Sequence, residues 1–247
     1  MCLVLLALDV VPGVPVVVAA NRDERHDRPA SPLHRWPDRP ELAGGRDTVA
    51  GGTWFAVHRD GRFAVVLNDR RVPTPPGTPP SRGELVPAFL GDQQPREAAL
   101  RAQANAFRYA GFHLLGGDRH GEAWYTGSAL TAPTGLGPGV HGADNAGLDV
   151  DDPRLRRARA GFERALEGGV ASGRLLEMLR DDGDPGPGAG DRRPVFICAP
   201  VFGSRCSTVL AIHADDTVTL RERRFDAAGR RVGDTTLSWT REFAATG

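Results

Sequence analysis

The chain opens on two apolar runs, residues 2–10 and 14–20, separated only by the turn signal Val11-Pro12-Gly13. Rich in Leu and Val and not alternating with polar residues, the pair predicts a buried β-hairpin. The second run leads directly into Asn21-Arg22-Asp23-Glu24. Those polar groups fall at the end of a buried strand, facing the other end of the hairpin, where Cys2 stands.

Cys2 follows the initiator methionine and is small, so the usual processing rule predicts removal of Met1. The mature chain would begin with a residue holding both a thiol and an α-amine. Their reference pKa values, about 8.5 and about 7.7–8.0, lie near working pH. The thiolate is the reactive form, and an adjacent amine can activate it. The bland alternative is a small buried hydrophobe at a strand start.

Composition narrows the classes. The chain has no lysine, so all 31 basic residues are arginine. A lysine Schiff base and a Walker-type phosphate loop are thereby excluded. Formal net charge is +0, which gives no electrostatic footprint for nucleic acid or an anionic membrane. The three cysteines, Cys2, Cys198 and Cys206, show no CxxC spacing. That argues against a disulfide scaffold, a zinc cluster or c-type haem, and for a reducing, cytoplasmic setting. No HExxH or close histidine pair occurs, so no metal and no cofactor is expected. Residues 1–20 lack a basic n-region and are broken by Asp9, Pro12 and Pro15, unlike a signal peptide. No apolar run is long enough for a transmembrane helix.

At 247 residues, one domain over 1–247 is the expectation. Residues 25–46 and 70–80 are Pro-rich and read as surface loops. Residues 53–58 and 62–67 read as a second hairpin about Arg59-Asp60-Gly61, ending at Asn68. Ser81-Arg82-Gly83-Glu84 has the form of a capping box, and Pro95 opens a second helix to 106. Strands are expected at 111–115, 122–126 and 140–143, the last leading to Asn145. Helices follow at 153–167 and 172–180, then a low-complexity loop at 181–191. The remaining strands are 195–199, 207–213 and 218–225. This order predicts an α+β layered fold, mainly antiparallel.

Six motifs in sequence carry a resemblance. They are Met-Cys at the start, Asn21-Arg22-Asp23-Glu24, Gly51-Gly52-Thr53-Trp54, Ser81-Arg82-Gly83, Gly111-Phe112-His113-Leu114-Leu115 and Gly203-Ser204-Arg205-Cys206-Ser207-Thr208. Together they resemble the NRDE-motif family, also called the Transport and Golgi organisation protein 2 family, over nearly the whole chain. That family in turn is similar to the cysteine N-terminal-nucleophile hydrolases. The resemblance implies a four-layer αββα sandwich whose first strand presents the nucleophile, and amide hydrolysis as the ancestral chemistry. It implies Cys2 as nucleophile, Arg22 and Asp23 beside it, Asn68 as oxyanion donor, Asn145 as a second structural asparagine and Arg205 as the late arginine. Arg22 and Asp23 are adjacent here, whereas the hydrolases separate theirs by two residues. Cys206 stands where the family usually has Ser.

The expected activity is an amidohydrolase or acyltransferase using Cys2 on a small amide. Asp23 would orient the α-ammonium, Arg22 and Arg205 would favour the thiolate, and Asn68 would donate to the oxyanion. Each residue also has a structural reading: an ion-pair cluster for Arg22, Asp23 and Glu24, turn positions for both asparagines, and a solvated strand end for Arg205. The other class is a non-enzymatic haem or lipid carrier. Expected partners are a small-molecule amide or a hydrophobic ligand, with no nucleic acid and no integral membrane. A neutral surface permits a homodimer.

Overall fold

The structure, a computed structural model, describes residues 2–92, 94–183 and 194–240. Strands β1 (Leu3–Val11) and β2 (Val14–Arg25) form the expected hairpin. Its register sets Leu3 opposite Asn21, so Cys2 is one step further out, beside Arg22 and Asp23. β2 does not stop before the Asn-Arg-Asp-Glu stretch but carries it as part of the strand, because β12 (Phe202–Ile212) pairs with it as far as Arg25.

The first antiparallel sheet has seven strands. Besides β1, β2 and β12 it holds β10 (Gly139–Asp144), β11 (Gly147–Leu148), β13 (Thr217–Phe225) and β14 (Arg231–Thr240). Its order is β11-β10-β1-β2-β12-β13-β14. The second sheet also has seven strands, running in sequence order. They are β3 (Ala30–Trp36), β4 (Arg39–Asp47), β5 (Phe55–His58), β6 (Phe63–Asn68), β7 (Phe112–Gly117), β8 (Ala123–Gly127) and β9 (Thr134–Leu136).

Three apolar layers explain the uniformly apolar first strands. Val4, Leu6 and Leu8 of β1 point at the second sheet and pack with Val57, Phe63 and Val65. Leu3, Leu5 and Ala7 point the other way, onto α3 (Pro153–Leu166) and α4 (Ser172–Met178), where they meet Leu155, Phe162 and Leu175. The outer face of the second sheet is covered by α1 (Leu85–Gly91) and α2 (Pro95–Ala104), with Phe89, Leu90 and Ala99 against Ala64 and Leu114. The result is the expected αββα sandwich, and a strand buried on both faces has no place for a polar alternation.

Several local expectations are corrected. Residues 25–46 are not a loop but largely the hairpin β3–β4. Their prolines mislead because β3 is an edge strand, where a missing N–H costs no ladder bond, and its register is irregular around Pro32. Residues 195–199 form no strand, only one bridge between Cys198 and Gly203. Strands β9, β11 and β14 were not anticipated. Ser81 does cap, accepting from the Gly83 N–H at 3.2 Å, but it opens a short 3-10 turn (Arg82–Glu84), and Glu84 returns no cap bond to the helix that follows. Most of the expected 181–191 loop lies outside the described residues.

Candidate active site

Cys2, Arg22, Asp23 and Asn68 line one cleft of about 460 Å³. Cys2 and the end of β2 supply one wall, and the end of β6 supplies another, across the gap between the sheets. The Cys2 thiol lies 3.7 Å from the Asp23 backbone carbonyl, to which it donates. Burial and the Asp23 carboxylate push this thiol above its ordinary value, while the Asp23 carbonyl contact and the Arg22 guanidinium pull the other way.

The Asp23 carboxylate is inside the protein. One oxygen accepts from Ser204 Oγ at 2.6 Å and the other from Arg154 Nη2 at 3.0 Å. Burial pushes this carboxyl up, against the pull of Arg154 and Ser204. Arg154 is itself held by the carbonyls of Pro194 and Val195, at 2.8 and 2.9 Å. Sequence reasoning missed it. An arginine in the first turn of a helix reads as a solvated residue, and only its 2% exposure tells otherwise. Its neighbour Asp152 caps the helix, accepting from the Arg154 N–H at 2.8 Å, which fixes where α3 begins.

Arg22 stacks over Trp54 at 4.7 Å and has Glu24 at 4.0 Å. Asn21, by contrast, is wholly structural: its amide donates to the carbonyls of Leu179 and Val195, and its oxygen accepts from Ser207. It ties β2 to the segment after α4 and to β12.

Asn68 reaches the cleft at the end of β6, and Asn145 stands behind it. The Asn145 amide donates to the Asn68 backbone carbonyl at 2.5 Å, so it holds the backbone of Asn68 and does not line the cleft. Arg205 is placed elsewhere. It lines a neighbouring pocket that shares Arg22 and Arg28 with the cleft, and it donates to His26 Nδ1 at 3.1 Å. That bond leaves His26 Nε2 to donate to the Ala199 carbonyl at 2.8 Å.

Arg82, from the Ser-Arg-Gly motif, also faces the Cys2 cleft. Its neighbours are fixed by close backbone packing. Thr53 donates its N–H to the Gly83 carbonyl at 3.1 Å, and a Cβ on Gly52 would lie 2.5 Å from Gly83 backbone. The two glycine motifs are therefore one feature of the site wall. Among the described residues, no cluster of three or more His, Cys, Asp or Glu side chains is placed to hold a metal ion. No described helix is long and apolar enough to cross a membrane.

The sequence pattern of the family described as Transport and Golgi organisation 2 matches residues 1–227. A Transport and Golgi organization protein 2 homolog from Bos taurus is 30% identical over 256 residues, spanning 90% of this chain and 92% of its own. The Homo sapiens homolog is 27% identical over 256 residues, with the same 90% and 92% spans. Among solved structures, an arginine-to-leucine variant of conjugated bile acid hydrolase from Clostridium perfringens superposes with a TM-score of 0.52. It covers 99% of this chain and 100% of its own at 9% identity. A cysteine-to-alanine variant of the same hydrolase gives 0.50, covering 100% of each chain at 9% identity. At such identity the likeness is one of fold.

Proposed function

The chain belongs to the Transport and Golgi organisation 2 family and has an N-terminal-nucleophile hydrolase fold, and on that premise we propose that it is a cysteine amidohydrolase or acyltransferase acting on a small amide. The observation that carries this reading is the convergence of Cys2, Arg22, Asp23 and Asn68 on one cleft. Removal of Met1 leaves a neutral α-amine on Cys2, next to the buried Asp23 carboxylate, which orients it and stabilises the ammonium once the thiol proton has been taken.

In the reaction the amine takes the thiol proton and Sγ attacks the amide carbonyl carbon. The carbonyl oxygen becomes an oxyanion, to which the Asn68 side-chain amide donates. The C–N bond then breaks, and the ammonium gives its proton to the departing amine, leaving a thioester on Cys2. Water, deprotonated by the α-amine, attacks the thioester, and the carboxylic acid departs as the thiol is restored. A second amine in place of water gives acyl transfer. Asn145 acts through Asn68, by fixing its backbone. Arg205 contacts none of the reacting groups and is assigned no step.

The three cysteines are free thiols, which fits a reducing compartment, the cytoplasm in this reading. A carrier of haem or lipid draws no support from a cleft lined by Arg22, Asp23, Glu24, Arg28, Asp47 and Arg82. The space between the sheets is taken by packed side chains.

The test is intact mass of protein made from its native start codon, before and after exposure to penicillin V and activated acyl esters, with Cys2→Ala alongside. Loss of Met1 and an acyl adduct absent from the variant are expected. Retained Met1, or a cysteine that no electrophile labels, would overturn the proposal.

A further inference from the structure

The Ser81-Arg82-Gly83 motif has no part in the chemistry above, yet it delivers a guanidinium to the cleft. The charges there do not balance. Of the carboxylates lining it, Asp23 is paired with Arg154 at 3.0 Å and Asp47 with Arg28 at 2.6 Å. Glu24 alone is left to face both Arg22, at 4.0 Å, and Arg82, whose field it shares. Among the described residues, no carboxylate lies within ion-pair distance of Arg82. Its bond is to a neutral group, the Gly111 carbonyl, which accepts from Nη1 at 3.0 Å.

A guanidinium is costly to desolvate without an anion. Arg82 is half-buried and held in place from both ends. Its backbone is fixed by the contact of Gly83 with Gly52 and Thr53. Its head is fixed by Gly111, whose carbonyl also accepts from the Asp69 N–H at 2.8 Å. A cation pre-positioned this way loses little side-chain entropy when an oxyanion arrives, and the planar fork of arginine suits a carboxylate.

The geometry points to Arg82 as the specificity residue of the Cys2 cleft, binding a carboxylate on the amide substrate, with Arg22, which lines the same cleft from the end of β2, as its second cation. Among the side chains, two guanidiniums, Arg22 and Arg82, face the one carboxylate of Glu24, an excess of one positive charge that a substrate monoanion would answer. The substrate class is therefore an N-acyl amino acid or another small amide carrying one carboxylate. The cleft volume of about 460 Å³ admits an acyl chain of moderate length beside that group. This assignment rests on reading the Cys2 cleft as the substrate site.

The experiment is calorimetric titration of the full chain carrying Cys2→Ala, so that no turnover intervenes. The probes are N-octanoylglycine, the uncharged N-octanoylglycinamide, and N-octanoyl-O-phosphoethanolamine. The carboxylate probe should bind at least about 10-fold tighter than the amide, the scale of one charge-assisted contact. Added Arg82→Gln should bring the two within about twofold by weakening only the carboxylate probe. Added Arg82→Lys should retain part of the preference, which separates lost charge from a misfolded cleft. Equal binding of carboxylate and amide probes, or equal weakening of both by Arg82→Gln, would overturn the assignment. Tighter binding of the phosphate probe would overturn the carboxylate class. Because binding is read without the nucleophile, a preference for the anion stands even if unmodified protein hydrolyses no amide, and that outcome would instead count against the amidohydrolase reading.

Discussion

Arg154 Nη2 donates to Asp23 Oδ2 at 3.0 Å, joining residues 131 positions apart in the chain. Through that bond the first turn of α3 is fastened to the strand that faces Cys2. The helix layer, not only the sheet, therefore sets the electrostatics of the cleft.

Replacing Arg154 by Met should cost about 3–5 kcal/mol in urea unfolding at pH 7, since a buried carboxylate loses its guanidinium. The double variant with Asp23→Asn should be more stable than the sum of the two single losses predicts. Strict additivity would mean the two groups are not coupled.

Asn68→Ala should lower kcat by about 10²–10³ with little change in KM, the signature of a donor used in the transition state. Asn145→Ala removes the bond to the Asn68 carbonyl and should cost about 1–3 kcal/mol of stability. Its kinetic effect should follow the same pattern in milder form. Steady-state kinetics on any amide found to turn over, together with thermal unfolding of both variants, checks this.

Glu222 links the two sheets by accepting from the Leu33 N–H at 2.9 Å. Burial first, and against it the Leu33 bond, Cys206, Arg224 and Arg22, leave its carboxyl raised above the usual range. A raised carboxyl favours the folded state below the unfolded pKa of about 4.3, and that contribution is lost as pH rises through the folded value. Glu222→Gln keeps an acceptor for Leu33 and carries no charge. Its Tm should exceed that of the unsubstituted protein at pH 8, and the gap should shrink as pH falls toward 4. A gap that widens on acidification would refute this.

Gly52→Ala drives a Cβ to within 2.5 Å of Gly83 backbone. The backbone must move, at a cost of about 1–3 kcal/mol, and Arg82 must move with it. Thermal unfolding should show the loss, and the titration with N-octanoylglycine should show weakened binding. Gly51→Ala is a different case, because Gly51 has φ +75 with open space about it. There the strain is one of backbone conformation alone.

The layered fold was legible because its signals are local and strong. The β1–β2 hairpin, the α3 start at Asp152-Pro153 and the β5–β6 hairpin all fell within a few residues of where sequence placed them. What sequence hid lies at the sheet edges or, for β4, next to one. β3 carries proline, and β14 is rich in Thr, Ser and Gly with no buried position, as edge strands can be, so neither reads as core. In the site, Cys2, Arg22 and Asp23 stand in motifs, and Asn68 was named by its place at a strand end and by the family resemblance; all four line one cleft. Arg154 was not named, because its burial depends on a carbonyl pair at 194–195 and on Asp23, all distant in sequence. Arg205 was placed with them by motif, yet its side chain turns to His26 at a point where the β2–β12 register shifts. Such a shift redirects a side chain, and nothing in the residue order announces it.

The Gly111 carbonyl accepts from both the Asp69 N–H and Arg82. Asp69 follows Asn68, so one oxygen atom is the common mooring of the strand end proposed to stabilise charge and of the arm proposed to select it. A substitution that displaced Gly111 would shift both at once. If the proposed chemistry holds, a lineage that altered this anchor would change rate and selectivity together, as one trait.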